Sequence, residues 1–174
     1  MRRGHSRPLP IPILSSLLVL LLSMPASVFA QASQATALRV NGDVRNHLDL
    51  SLGDIAAFQR QTISVTDDRG ARVEYGGVPV AEILQRAGAP LGKELKGPNM
   101  AVGLIARASD GYRVLFSLPE FDAAFNARVI LLADRRDGKP LDNREGPLRI
   151  VVPGDRRHAR WIRGVITLEV LRIP

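Results

Sequence analysis

The stretch GPLRIVVPGDRRHARWI, residues 146–162, decides how the chain is built. Leu148-Arg149-Ile150-Val151-Val152 is a short apolar run with β-branched residues, which predicts a buried strand over 148–152 carrying one guanidinium. Pro153 opens a basic loop that reaches Arg160. Four arginines, His158 and the only tryptophan, Trp161, fall within residues 156–163. Beyond it Val165, Thr167, Glu169 and Leu171 alternate with Ile166, Leu168 and Val170, which predicts a closing strand over 162–173. Strand, charged loop and strand in so short a span point to a β-rich domain.

Working toward the N-terminus, the same pattern of short elements recurs. Residues 127–133 predict another buried strand, Arg135-Arg136-Asp137-Gly138 a turn, and residues 140–147 an extended loop. Ser117-Leu118-Pro119-Glu120 carries a capping-box signature and predicts a helix running to Phe125. Asp110-Gly111 turns a strand over 100–108 into one over 112–116, and residues 91–99 are expected as a loop. Val80, Ile83, Leu84 and Ala87 keep helical spacing, and Gly88 stops that helix. Gly76-Gly77-Val78-Pro79 leads into it. Strands over 63–66 and 71–75 are joined by the Asp67-Asp68-Arg69-Gly70 turn. Ser51 and Asp54 open a short helix to Phe58, behind an ordered start at 38–40, the Asn41-Gly42 turn and a strand at 48–50. The fold class is α+β: β-rich mixed sheets with short helices.

The chain has 174 residues, 45 % apolar and 24 % charged, which suits one globular domain. Arg2, Arg3, His5 and Arg7 precede an apolar run over residues 11–22, and Val28-Phe29-Ala30 offers a small-residue cleavage site. Residues 1–30 therefore read as a secretory signal peptide, residues 31–37 as a flexible leader and 38–174 as a single domain. The apolar run is short for a bilayer of about 30 Å, so no stable membrane span is expected; a retained N-terminal anchor is the alternative. Cleavage removes Arg2, Arg3 and Arg7, leaving 21 cations against 17 acids, so +7 becomes +4. The expected location is the periplasm.

Several chemistries are excluded. The chain has no cysteine, which removes disulfides, thiolate nucleophiles and iron–sulfur ligation. His47 and His158 lie in no metal-ligand spacing, no nucleophile elbow is present, and Gly76-Gly77 lacks a dinucleotide fingerprint. Asp134, Asp137 and Asp142 lack the closing glutamate of an EF-hand. The basic strip has two readings: a solvated turn from which Trp161 enters the core, or a site for a small anion or phosphate-bearing ligand. Nucleic acid is not expected, since export removes that partner and acids balance the rest of the chain. Tyr112 either fills the sheet with its hydroxyl at the edge or points into a cleft as a hydrogen-bond donor.

Gly77-Val78-Pro79-Val80 with Ile83-Leu84 and Ala87-Gly88, then Asp110-Gly111-Tyr112, Leu131-Leu132-Ala133 and Asp137-Gly138-Lys139-Pro140-Leu141, resembles the oxidoreductase molybdopterin-binding domain of the sulfite oxidase type. The likeness ends in the PLR…VVP…RW run, from Pro147 to Trp161. The resemblance implies a sulfite oxidase-like fold and a pterin site at Arg149, His158, Ala159 and Arg160, where family members hold the pterin or its phosphate. It implies a molybdopterin cofactor, no haem or iron–sulfur cluster in this chain, and a haem or sensor protein partner. It also implies a molybdenum-ligating cysteine ahead of the GVPV segment, and residues 65–78, VTDDRGARVEYGGV, contain none. The expected function is thus a non-catalytic periplasmic ligand-binding or interaction module for a small anion or pterin-like ligand. The alternative is a molybdopterin-dependent oxidoreductase that transfers oxo groups to or from a small oxyanion or sulfoxide, with Tyr112 as its candidate polar contact.

Overall fold

The structure is a computed structural model that describes residues 1, 35–67 and 69–172. The expected signal peptide, Met1 aside, and residues 31–34 lie outside the described residues. Ser33–Pro174 forms a compact unit. It contains two five-stranded sheets. The first comprises β1 (Leu38–Gly42), β2 (Leu48–Leu50), β5 (Val102–Ala108), β6 (Arg113–Ser117) and β10 (Val165–Arg172), in the order β2-β1-β10-β5-β6. The β1–β10 pair is parallel and its other pairs are antiparallel, so the sheet is mixed. The second comprises β3 (Gln61–Thr66), β4 (Arg72–Pro79), β7 (Leu131–Arg136), β8 (Lys139–Pro140) and β9 (Arg149–Val151). Its order is β3-β4-β7-β8, with β9 also paired to β7.

One continuous core joins the two sheets through Leu38, Leu104, Phe116 and Leu168 on one side and Val78, Leu131, Leu132 and Ile150 on the other. The helix α2 (Val80–Ala87) adds Val80, Ile83, Leu84 and Ala87, all fully buried, as their spacing predicts. Gly88 ends it in the left-handed conformation at φ 73°. The short helix α1 (Leu52–Ala56) starts on a capping box between Ser51 and Asp54, and stops two residues before Phe58. Among the described residues no helix is long and apolar enough to cross a membrane.

Several elements differ from expectation. The helix expected after Ser117 is a single 3-10 turn, Leu118–Phe121. The capping box forms, but Asp122 then accepts the backbone N–H groups of Gly92 and Ala124, which pulls the chain out of helical register. The strand expected over 127–133 is displaced to Leu131–Arg136, where its far end pairs with β4 at Tyr75 and Gly76. The turn there is tighter than expected, with Asp137 and Gly138 both at positive φ. β4 runs on through Gly76-Gly77-Val78-Pro79, because a Cβ at Gly77 would sit 2.1 Å from the Leu132 carbonyl oxygen and glycine alone lets β7 approach. Asn41 and Gly42 are the end of β1 rather than a turn.

The quoted stretch lies at the seam between the sheets. β9 pairs with β7 on one side, and on the other the Ile150 N–H donates to the Ile162 carbonyl and the Val165 N–H to the Leu148 carbonyl. Residues 162–165 then lead directly into β10 of the first sheet. Arg149 is thereby held in the joint, 6 % exposed.

Candidate functional site

Three neighbouring strands of the second sheet deliver Tyr75, Arg136 and Arg149 side by side. Tyr75 and Arg136 are register partners across β4 and β7, and Arg149 follows on β9. The Arg149 guanidinium is spent almost entirely within the wall. Its Nη1 lies 2.8 Å from Glu145 Oε1 and donates to the Tyr75 hydroxyl at 3.0 Å, and its Nη2 donates to the Trp161 carbonyl. The guanidinium also lies 5.1 Å from the Tyr75 ring centroid and 5.8 Å from that of Trp161. Its Nε is buried without a partner. Arg136 bonds to Asp67 at 2.8 Å and to Glu145 at 3.3 Å, so one carboxylate serves both arginines.

These charges tune one another. Burial pushes the Tyr75 phenol above its ordinary value, against the opposing pull of Arg149. Burial works against the charge on Arg136, but Tyr75, Glu145 and Asp67 outweigh it and its pKa is raised. Asp67 is held below the usual carboxylate range, first by the Ala71 backbone N–H, then by that of Arg69 and by Arg136.

The opposite wall comes from the first sheet and the basic loop. The His158 ring stacks on Trp161 at 3.8 Å between centroids and 19° between planes. Trp161 is in turn anchored by Nε1–H donation to the Val152 carbonyl and by an edge contact with Tyr75. Tyr112 stands exposed just ahead of β6 and donates its hydroxyl to the Ala159 carbonyl at 3.0 Å, tying the first sheet to the basic loop within this wall. Between them is a cavity of about 320 Å³ lined by Arg149, His158, Ala159, Trp161 and Tyr112, with Tyr75, Arg136 and Glu145 behind.

Of the residues expected at a site, Arg149, His158, Ala159 and Tyr112 share this cavity. Arg160 does not line it. Its guanidinium makes a two-point pair with Asp155, at 3.0 and 2.8 Å, and a third bond to Glu120 at 2.7 Å, and it lies over the Phe116 ring. The Asp155 bonds, with those of Glu120, raise its pKa above that of a free arginine. It therefore pins the basic loop to the capping turn of residues 117–120. Trp161 is a core residue, as the solvated-turn reading expects, and His158 and Ala159 before it line the cavity.

Sequence reasoning did not reach Asp67, Tyr75, Arg136 or Glu145. The one available signal was Glu145 four residues ahead of Arg149; Asp67 and Arg136 sat in segments that read as turns. Asp134, Asp137 and Asp142 serve other partners: Asp134 pairs with Arg60, Asp137 accepts the Glu74 N–H, and Asp142 caps the turn at Arg144 and Glu145.

Solved structures include a relative of the same fold. The sulfane dehydrogenase SoxCD from Paracoccus pantotrophus superposes with a TM-score of 0.62 at 22 % identity, covering 78 % of this chain and 38 % of that one. The present chain thus spans well under half the length of that relative. No curated protein sequence matches. The family model described as the oxidoreductase molybdopterin binding domain matches residues 25–172, which takes in both sheets and every residue of the cavity. The chain belongs to the oxidoreductase molybdopterin-binding domain family.

Proposed function

We propose that this protein is a non-catalytic, periplasmic ligand-binding module built on the molybdopterin-domain fold, and that its ligand is a small planar, pterin-like molecule without a metal. The observation that carries the reading is the charge balance of the cavity. Its lining holds three arginines and three carboxylates, and Arg136 and Arg149 are already engaged by Asp67 and Glu145. A doubly charged phosphate gains little from guanidiniums that are neutralised, and it meets the carboxylates as like charges. A neutral or zwitterionic heteroaromatic instead finds stacking surface on His158 and Tyr112 and alternating donors and acceptors at its edges.

The residues do not fit a molybdenum–pterin centre. Such a centre in this family takes a soft thiolate, and the chain has no cysteine. Among the described residues no three His, Asp or Glu side chains gather where they would hold a metal instead. In this reading Arg149, His158 and Ala159 contact the ligand, and Arg160 acts through the loop it pins.

The alternative is a molybdopterin-dependent oxidoreductase carrying out oxo transfer on a small oxyanion or sulfoxide, with a haem protein as its partner, where the ligand-binding reading takes a sensor protein. What favours it is the family itself. Native mass spectrometry of the protein isolated from its own host separates the two. The ligand-binding reading expects a retained organic molecule without metal, lost on Arg149→Met while the fold is kept. An apo protein, or a molecule retained equally by the Arg149→Met variant, overturns it.

A further inference from the structure

Beside the cavity lies a groove of about 600 Å³ that shares Asp67, Arg136, Glu145 and Arg163 with it. Its outer side is formed by three cations that the cavity does not use: Arg69 in the β3–β4 turn, Lys139 of β8, and Arg144 in the turn that follows. All three are exposed, and none joins an ion pair among the described residues.

The carboxylates of the same groove are occupied. Asp67 Oδ1 accepts the backbone N–H groups of Arg69 and Ala71, and its Oδ2 holds Arg136. Asp142 Oδ1 accepts those of Arg144 and Glu145. Asp137 accepts the Glu74 N–H, and Glu145 holds Arg136 and Arg149. Each of these carboxylates thus already accepts from donors of the fold through at least one oxygen, whereas among the described residues the side chains of Arg69, Lys139 and Arg144 have no hydrogen-bond or ion-pair partner. Arg163, shared with the cavity, is a fourth such cation.

We propose that this groove is a second binding site, for a small polyanion carrying at least two phosphate or carboxylate groups. Two guanidinium groups and an ammonium, in a lining of five cations against four carboxylates, match oxyanions that are spread over a molecule rather than gathered on one atom. The volume lies in the range of about 300–1,000 Å³ typical of small-ligand sites, and the surface is concave, which favours a small molecule over a flat protein face. Arg69, Lys139 and Arg144 line the groove and not the neighbouring cavity, so substituting them tests the groove apart from the ligand-binding reading, although Asp67, Arg136, Glu145 and Arg163 line both.

The test is calorimetric titration of the whole protein with inorganic tripolyphosphate and with citrate, at low and at physiological ionic strength. One variant carries Arg69→Gln, Lys139→Gln and Arg144→Gln. A control carries Arg86→Gln, Lys93→Gln and Lys96→Gln, exposed cations outside the groove, so both lose the same charge. The expected result is a single site for tripolyphosphate that weakens by roughly tenfold or more in the groove variant and by less than about twofold in the control. Equal weakening in both variants, meaning attraction to net charge alone, overturns the proposal, as does the absence of a saturable site. So does tighter binding of an octaglutamate peptide than of either small anion, which would assign the surface to an acidic protein.

Discussion

Replacing Glu145 with glutamine tests whether charge holds the cavity wall together. Glu145 Oε1 lies 2.8 Å from one Nη1, that of Arg149, and 3.3 Å from the other, that of Arg136. Its side chain is 18 % exposed and that of Arg149 8 %. Breaking one partner of a fully buried pair costs about 3–5 kcal/mol. In this wall Arg149 keeps the Tyr75 hydroxyl and the Trp161 carbonyl, and Arg136 keeps Asp67. The new amide oxygen also still accepts a hydrogen bond, so the expected loss is about 2 kcal/mol. In a domain of this size that corresponds to a fall in Tm of about 5–10 °C. Urea denaturation followed by tryptophan fluorescence measures it directly, because Trp161 is the only tryptophan and is 4 % exposed in the fold. The slope m should not change. A double-mutant cycle with Arg149→Met should return a coupling of about 1 kcal/mol or more. A Glu145→Gln protein within about 0.5 kcal/mol of the parent, together with an additive double mutant, would refute the argument that the wall consumes its own arginines.

Three other outcomes follow from the same geometry. Gly77→Ala should cost about 3 kcal/mol, because its Cβ would meet the Leu132 carbonyl oxygen at 2.1 Å, whereas Gly76→Ala, with its nearest atom at 3.6 Å, should be tolerated; thermal denaturation compares them. Asp67 has a folded-state pKa depressed below its unfolded value, so its stabilising effect is complete above about pH 4 and is lost as pH falls through the folded value. Urea midpoints of the parent and of Asp67→Asn should therefore converge as pH drops below about 4; a gap that stays constant contradicts the assignment. Arg160→Gln should release the loop at 153–161, and the readout is faster trypsin cleavage after the exposed Arg156 and Arg157, with an unchanged cleavage rate as the contrary result.

What was legible in the sequence was periodicity and punctuation. The stripe of α2, the stop at Gly88, the hairpin at Asp67 and the seam strand at Arg149 all follow from local patterns that tertiary contacts then reinforce. The 3-10 turn at Leu118–Phe121 was not legible, because the capping box is present and helix length is decided by Asp122, whose partner Gly92 lies 30 residues away. The extension of β4 through Gly76 and Gly77 was hidden for a related reason. Two glycines read as a loop until β7 is laid against them and their missing side chains become the point of contact. At the site, Arg149, His158, Ala159 and Tyr112 were reached through motif and loop composition. Their neutralising partners were not, since Asp67, Arg136 and Glu145 converge from a hairpin, a strand end and a turn that no sequence spacing links. Charge balance inside a cavity is a property of the fold: Arg136 and Arg149 are already paired with Asp67 and Glu145, which no motif spacing announces.

The central claim is that this member of a molybdopterin-binding family works without the metal. Molybdenum content, measured by elemental mass spectrometry on protein expressed with its N-terminal segment in a host that makes the cofactor, tests it most directly. The expected result is protein that is folded and soluble but carries no stoichiometric molybdenum. One molybdenum per chain, accompanied by pterin, would contradict it and establish the oxidoreductase reading.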